Sequence, residues 1–354
     1  MAESTPQDIR TDAALAIACS QYDLGPIHTI VEAVIGSRRS RKWVIGAKRG
    51  EFVLKERSEA LATVEQVAFA HEVQLRLEQA QFPVAALIGT REGNRSLYQG
   101  NERIYELTRL IRGSSFDRGA EQAREAGRTL AWLHEALSGM EVPALSTSTP
   151  FHRRPDLAGI ADHIPRAIRI VTGKEEDRKT ASEIVKRLYN AYDQLVQRTD
   201  LMGFAQWPRF VVHGDWHPGN LLFNEDGNVT GVFDFDTARL EPRIGDVANG
   251  ALQFAMKITS DDPFSHPDGL NESILLAFLS GYDSHDASLM LSVTEVQALA
   301  SLMAEALIAE SFPVIAQTGR FGRWGGLDFL QIVDRKVKWL TTAAEELLAR
   351  LNQE

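Results

Sequence analysis

Short β-branched runs separated by polar turns dominate the chain up to about residue 111; beyond it, apolar residues recur at helical spacing. Ile27–Ile35 has strand composition, breaks at Gly36-Ser37-Arg38-Arg39-Ser40 and resumes over Lys42–Ala47, which predicts a hairpin with a polar tip. In Glu51–Lys55, alternation sends Phe52 and Leu54 to one face and Val53 and Lys55 to the other. Phe69, Val73, Leu77 and Ala80 form a helical stripe, predicting one helix from about Glu59 to Ala80. Leu97–Gln99 and Arg103–Ile111 flank Gly100-Asn101 as a second hairpin. A short helix over Thr11–Ser20 precedes all of these.

The remainder reads as helices. Ala123, Ala126, Leu130, Leu133 and Leu137 mark one; Ile184, Leu188, Tyr192 and Leu195 mark another. Residues 140–158, rich in Pro, Ser and Thr, read as an irregular connector. Further helices are expected over the apolar run from Ala248 to Met256, Asn271–Leu279, Thr294–Glu310 and Leu327–Leu351. Lys257–Leu270 reads as a polar loop, and Ser311–Gly326 combines four glycines with two arginines and aromatic residues.

One stretch inside this helical half keeps strand character. Phe210–Val212, Leu221–Phe223 and Gly231–Phe233 are short apolar runs, and the last two flank the Asp226-Gly227 turn of a hairpin. Polar groups sit at the ends of these runs: His213, Asp215 and Asn220, then Asp234 and Asp236. Such a cluster suits transfer of the terminal phosphoryl of ATP. That reaction needs a carboxylate near the attacking hydroxyl and oxygen ligands that hold magnesium against the phosphates.

The stretch resembles the catalytic core of the aminoglycoside phosphotransferase, choline kinase and homoserine kinase group, small-molecule kinases with a protein-kinase-like fold. His213, Asp215 and Asn220 meet its His-x-Asp-x-x-x-x-Asn pattern, and Asp234 follows the next strand. The resemblance implies a two-lobed α+β fold: a small antiparallel sheet with one helix in residues 1–108 and a larger, mainly helical lobe in 109–354. It implies ATP and Mg2+ as cofactors, Asp215 as the base, and Asn220 and Asp234 as metal ligands. Lys55 would hold the ATP phosphates, braced by Glu72 in preference to Glu65, with the Gly36–Ser40 tip over them. Backbone groups of Glu106, Leu107 and Thr108 would meet the adenine edge. His213 would brace the catalytic loop, and Asp246 would hydrogen-bond to it. Asp236 would assist the metal through water or face the acceptor. Gly214 stands where eukaryotic protein kinases carry Arg, so an activation loop regulated through that Arg is not expected.

Length and charge narrow the picture. A chain of 354 residues exceeds one compact core, and a net charge of −10 argues against nucleic acid as a partner. Cys19 stands alone, which excludes an intramolecular disulfide and reads as a buried thiol. The first residues carry no basic stretch feeding an apolar run, and patches such as Ile274–Leu279 are too short to cross a bilayer. A cytoplasmic enzyme without a membrane partner is expected, and a homodimer is left open. The acceptor is a small molecule with a hydroxyl. A hydroxy-amino acid such as homoserine would need Arg239, Arg243, Arg320 or Arg323 for its carboxylate. A choline-like amine or an aminoglycoside would need Asp236, Asp261, Asp262 or Trp324. A catalytically silent nucleotide-binding regulator and a metal-dependent hydrolase are the readings outside the kinase class.

Overall fold

The computed structural model describes residues 13–33, 40–58, 63–100, 102–142, 149–257, 262 and 265–349. Residues 36–39 of the expected phosphate-covering tip and Asp261 lie outside the described residues. The chain forms two compact units. One is drawn from Met1–Ser115, Glu141–Thr147 and Gly219–Thr237, the other from Phe116–Met140, Ser148–Pro218 and Ala238–Glu354. The division is not a single cut at residue 108, because the chain returns to the first unit after residue 218.

In the first unit, α1 (Ala13–Ser20) packs on a five-stranded antiparallel sheet with strand order β1 (Ile27–Glu32), β2 (Arg41–Ala47), β3 (Gly50–Ser58), β5 (Arg103–Arg109), β4 (Tyr98–Gly100). Alternation works as the sequence predicts. Trp43, Ile45, Phe52, Leu54, Tyr105 and Leu107 join Leu15, Ala18 and Cys19 in one apolar cluster. Burial pushes the Cys19 thiol up to about 11, so it stays protonated. On the opposite face, strand register aligns Lys42 with Lys55 and Lys55 with Glu106.

Helix α2 (Val64–Gln79) starts later than the sequence suggests. Thr63 caps it, and Gln66 completes a reciprocal capping box. The β7 (Leu221–Phe223) and β8 (Val229–Val232) hairpin also belongs to the first unit, pairing as its Asp-Gly turn predicts. It is tied there by the Val232 amide on the Pro83 carbonyl (2.8 Å) and by reciprocal bonds between Ser114 and Phe223 (2.8 and 2.9 Å).

The second unit is helical: α3 (Ala120–Ala136), α4 (Leu157–Thr172), α5 (Glu175–Leu201), α6 (Ile244–Ala255), α7 (Glu272–Asp283), α8 (Val293–Thr318), α9 (Gly326–Leu340) and α10 (Ala343–Ala349). A short ribbon joins β6 (Arg209–Val212) to β9 (Arg239–Pro242), and a smaller one joins β10 (Arg320–Phe321) to β11 (Trp324–Gly325). Helices α3 and α7 meet backbone to backbone. A Cβ added at Gly127 would lie 2.0 Å from the Phe278 carbonyl, and one at Gly281 would lie 1.9 Å from that of Arg124. Only glycine fits either place.

Helix α8 crosses the stretch read as irregular, running through Pro313 to Gly319, whose left-handed conformation (φ +66°) closes it. Proline supplies no amide for the Ala309 carbonyl four residues back; Arg154 Nη1 reaches that carbonyl instead, at 3.4 Å. By length and composition α8 could cross a membrane, but 83% of its most apolar window is buried, as in a core helix.

Candidate active site

The first unit gathers charge on the sheet face opposite α1. Lys55 is buried, with Nζ 3.1 Å from Asp234 Oδ1, 2.9 Å from Asp236 Oδ2 and 3.8 Å from Glu106 Oε1. Arg57, two residues along the same strand and therefore on the same face, donates through Nη1 to Glu106 and through Nε to Asp236 (3.3 Å). His71 Nε2 lies 2.6 Å from Glu106 Oε2, and its Nδ1 lies 2.9 Å from Ser96 Oγ.

Electrostatics follow from this packing. Burial works against the Lys55 ammonium, but Glu106 and Asp236 outweigh it and raise its pKa. Burial likewise opposes a charged Glu106, yet the charges of Arg57 and Lys55 and the His71 hydrogen bond hold it well below the usual carboxylate range. Asp236 is lowered as well: Lys55 and Arg57 outweigh the cost of its burial. Across the strand, burial and the neighbouring Lys55 pull the Lys42 ammonium down.

The expected partner of Lys55 is corrected here. Glu72 sits on the exposed face of α2, as does Glu65. One residue is 100° of helix rotation, and with Val67, Ala70, His71, Val73 and Leu77 buried, the inward side chain at that level is His71. The carboxylate against Lys55 is Glu106, placed by strand register. Sequence reasoning assigned Glu106 only a backbone role, and that too differs. Leu107 is buried, and its carbonyl accepts the Ile88 amide at 2.8 Å; Thr108 is bridged to Leu87; the Arg109 amide donates to Ala86 (2.9 Å). These residues lie inside the ladder, and the chain leaves the sheet only after Arg109.

Asn220 and Asp234 stand at neighbouring ends of the β7–β8 hairpin, where the Phe233 amide donates to the Asn220 carbonyl at 3.0 Å. Asn220 is buried, and Asp234 holds a left-handed backbone (φ +67°) rarely adopted outside glycine. Among the described residues no three His, Cys, Asp or Glu side chains converge as a metal cage. An amide and a carboxylate oxygen are nonetheless the donors that magnesium takes from protein, its other positions going to phosphate and water. The donor set therefore fits a hard divalent ion held with a nucleotide.

The second unit holds the loop that carries Asp215. Both Asp246 oxygens accept loop amides: His213 N at 2.6 Å and Gly214 N at 2.8 Å. This is the bond that the resemblance implies. His134 Nε2 reaches the same carboxylate at 3.4 Å, while its Nδ1 lies 2.8 Å from the Tyr282 hydroxyl. Burial disfavours the charged Asp246, but the His134 bond and the nearby His213 and Arg239 outweigh it and lower its pKa. Burial dominates at His134, whose pKa falls, so the ring is neutral and donates from Nε2.

The fully buried His213 accepts the Asp215 amide on Nδ1 (3.2 Å), a bracing contact. Trp216 is fully buried against Gly250 of α6, where an added Cβ would lie 2.8 Å from the indole. Asp215 itself is left partly open, with Oδ2 3.5 Å from His217 Nε2. Besides Glu106, sequence reasoning missed Arg57 and His71; the available signal was that Arg57 repeats the strand face of Lys55.

Comparison with known proteins agrees with this chemistry. Residues 30–291 match the phosphotransferase enzyme family known as APH. A homoserine kinase of Caulobacter vibrioides is 25% identical over 275 residues, covering 77% of this chain and 78% of the relative. Among solved structures, an amicoumacin kinase bound to AMP-PNP and Ca2+ superposes with a TM-score of 0.69 at 12% identity, covering 94% of this chain and 93% of that one. A microcompartment-associated aminopropanol kinase gives 0.66 at 15% identity, covering 95% and 98%. At such identities these structures speak for the shared kinase fold, while the family match spans well over half of the sequence. The chain therefore belongs to the phosphotransferase enzyme family and is a small-molecule kinase with a hydroxyl acceptor.

Proposed function

We propose that this enzyme uses ATP with Mg2+ and that Asp215 is the base toward the acceptor hydroxyl. The observation that carries this reading is the buried Lys55 held by Asp234 and Asp236, a cation kept charged where a nucleotide phosphate would need one. Lys55 fixes the non-transferred phosphates, and Glu106 rather than Glu72 keeps its ammonium in place. Asn220 and Asp234 are the protein ligands for magnesium, which when bound offsets phosphate charge. The adenine edge meets main chain beyond Arg109, where β5 ends.

Asp215 orients the acceptor hydroxyl and takes its proton as the new P–O bond forms and the bond to the bridging oxygen breaks, releasing ADP. His213 and Asp246 hold the loop in which this happens and take no proton themselves. Positioned proton transfer of this kind is worth about 10²–10⁴ in rate. Asp215→Ala is therefore expected to lose at least that factor in acceptor-dependent ADP release, while a thermal shift with MgATP persists. Parental turnover by this variant would remove Asp215 from the mechanism.

A further inference from the structure

The proposed reaction gives Arg57 no task, although each of its three side-chain nitrogens donates to a carboxylate. Nε and Nη2 take the two oxygens of Asp236 side-on, while Nη1 takes Glu106. Glu106 is bonded in turn by His71 at 2.6 Å, and His71 by Ser96 at 2.9 Å. Arg57 is 4% exposed. A guanidinium buried and anchored at one end in this way presents a fixed fork at the other.

That fork grips the segment that carries Asp234. The backbone of Asp234 is left-handed (φ +67°), a conformation that a residue with a Cβ keeps only where its surroundings impose it. On one side the Phe233 amide is fixed on the Asn220 carbonyl at 3.0 Å. On the other, the 3₁₀ turn Phe235–Thr237 buries Phe235 and hands Asp236 to Arg57. Lys55 also touches both Asp234 and Asp236, at 3.1 and 2.9 Å. Catalysis, however, directs Lys55 to phosphate and Asp234 to the metal. The pair of Arg57 with Asp236 needs neither group, so it can outlast the arrival of the nucleotide.

We infer that Arg57 is a positioning residue for magnesium: its bidentate grip on Asp236 keeps Asp234 in the left-handed conformation that makes its carboxylate available to the ion. The inference rests on Asp234 being a metal ligand. It gives Asp236 a part different from the two that the sequence leaves open, water-mediated metal binding and contact with the acceptor. Both Asp236 oxygens are engaged by Arg57, and Oδ2 by Lys55 as well. Lysine at position 57 would keep the charge and lose the fork, because an ammonium is a single point donor.

The test sets Arg57→Lys and Asp236→Asn beside the parental full-length chain and follows the thermal shift of the AMP-PNP-loaded protein as Mg2+ is titrated. Both variants are expected to need about 10–100-fold more Mg2+ for the half-maximal shift, the usual cost of losing a group that orients a metal ligand. The double variant should need no more than either single one, since both remove the same contact. Asp236→Glu, which keeps a carboxylate, recovers part of the loss. Calorimetric affinity for AMP-PNP in EDTA stays at the parental value in Arg57→Lys.

A lowered urea midpoint with an unchanged Mg2+ requirement makes the pair a fold contact and overturns the inference. So does a raised requirement in Asp236→Asn alone, which puts Asp236 on the metal by itself. A loss of AMP-PNP affinity in EDTA as large as the loss with Mg2+ overturns it too, by making Arg57 a phosphate ligand. Should Arg57→Lys not fold, Arg57→Gln is judged by the same outcomes. Failure of the underlying metal assignment looks different: Asp234→Ala then responds to Mg2+ as the parent does.

Discussion

The charge cluster around Lys55 in the first unit and the one around Asp215 in the second are built differently. In the first, Lys42, Lys55 and Arg57 stand among Glu106, Asp234 and Asp236, so each carboxylate has a cation beside it. In the second, Glu310 of α8 accepts from the neutral side-chain amides of Gln253, at 2.9 Å, and Asn249, and feels the charges of Asp215 and His217. The first arrangement stabilises itself and must exchange partners when phosphate and metal arrive. The second sets a carboxyl that burial and Asp215 push up to about 7 near a more open carboxylate. Mutual compensation fixes the charge state of a carboxylate, whereas burial among neutral amides leaves it free to change with pH.

The comparison is broken most severely by emptying the compensated side. Glu106→Gln leaves Lys55 and Arg57 buried without their shared carboxylate and is expected to cost about 3–5 kcal/mol, read as a lowered urea midpoint. A midpoint at the parental value would mean that Asp234 and Asp236 suffice for both cations.

Asp246→Asn comes next. It weakens the charged acceptor of two loop amides, at about 1.5–3 kcal/mol for hydrogen bonds to an ionised group, and lowers turnover by misplacing Asp215.

The pH dependence of stability separates the two kinds of carboxyl. The folded pKa of Asp246 is depressed, so its contribution is present above the unfolded value and is lost as pH falls through the folded one. For Glu310 the folded pKa is raised, from 4.5 to about 7, so the sign reverses. Its contribution is full below about 4.5, the unfolded range, and is lost as pH rises to 7. Urea titrations across that window should slope downward in the parent and flatten in Glu310→Gln. An unchanged slope would place the titrating group elsewhere.

The smallest effect sharpens the contrast. Glu72→Ala, on the exposed face of α2, should change stability by no more than about 0.5 kcal/mol and leave nucleotide binding alone. A large loss of nucleotide affinity would restore Glu72 as the partner of Lys55.

Local periodicity carried much of the fold. Strands β2, β3 and β5, helix α3 and the β7–β8 hairpin lie where alternation, helical stripes and an Asp-Gly turn put them. What escaped depended on contacts distant in sequence. Strand β9 is Arg-Leu-Glu-Pro, a poor strand sequence that forms because β6 pairs with it. Helix α4 has its stripe in Leu157, Ala161, Ile164 and Ile168, but it carries Pro165 and follows a Pro-rich connector. Helix α8 outlasts Pro313 because Arg154, far away in the chain, takes over the freed carbonyl. Motif spacing singled out Asp215, Asn220 and Asp234 as candidates, whereas the pairing of Glu106 with Lys55 depends on the register between β3 and β5, which no local pattern encodes.

The return of the chain to the first unit at Gly219 also bears on how the protein is made. On the ribosome the sheet emerges first, yet Val84 and Ser114 meet Val232 and Phe223 only after α3, α4 and α5 have been synthesised. At ordinary elongation speeds that is a wait on the order of ten seconds. During it, the main-chain groups of Pro83 and Ser114 wait for those partners, a foothold for a chaperone and a reason for translation speed across residues 116–218 to influence yield.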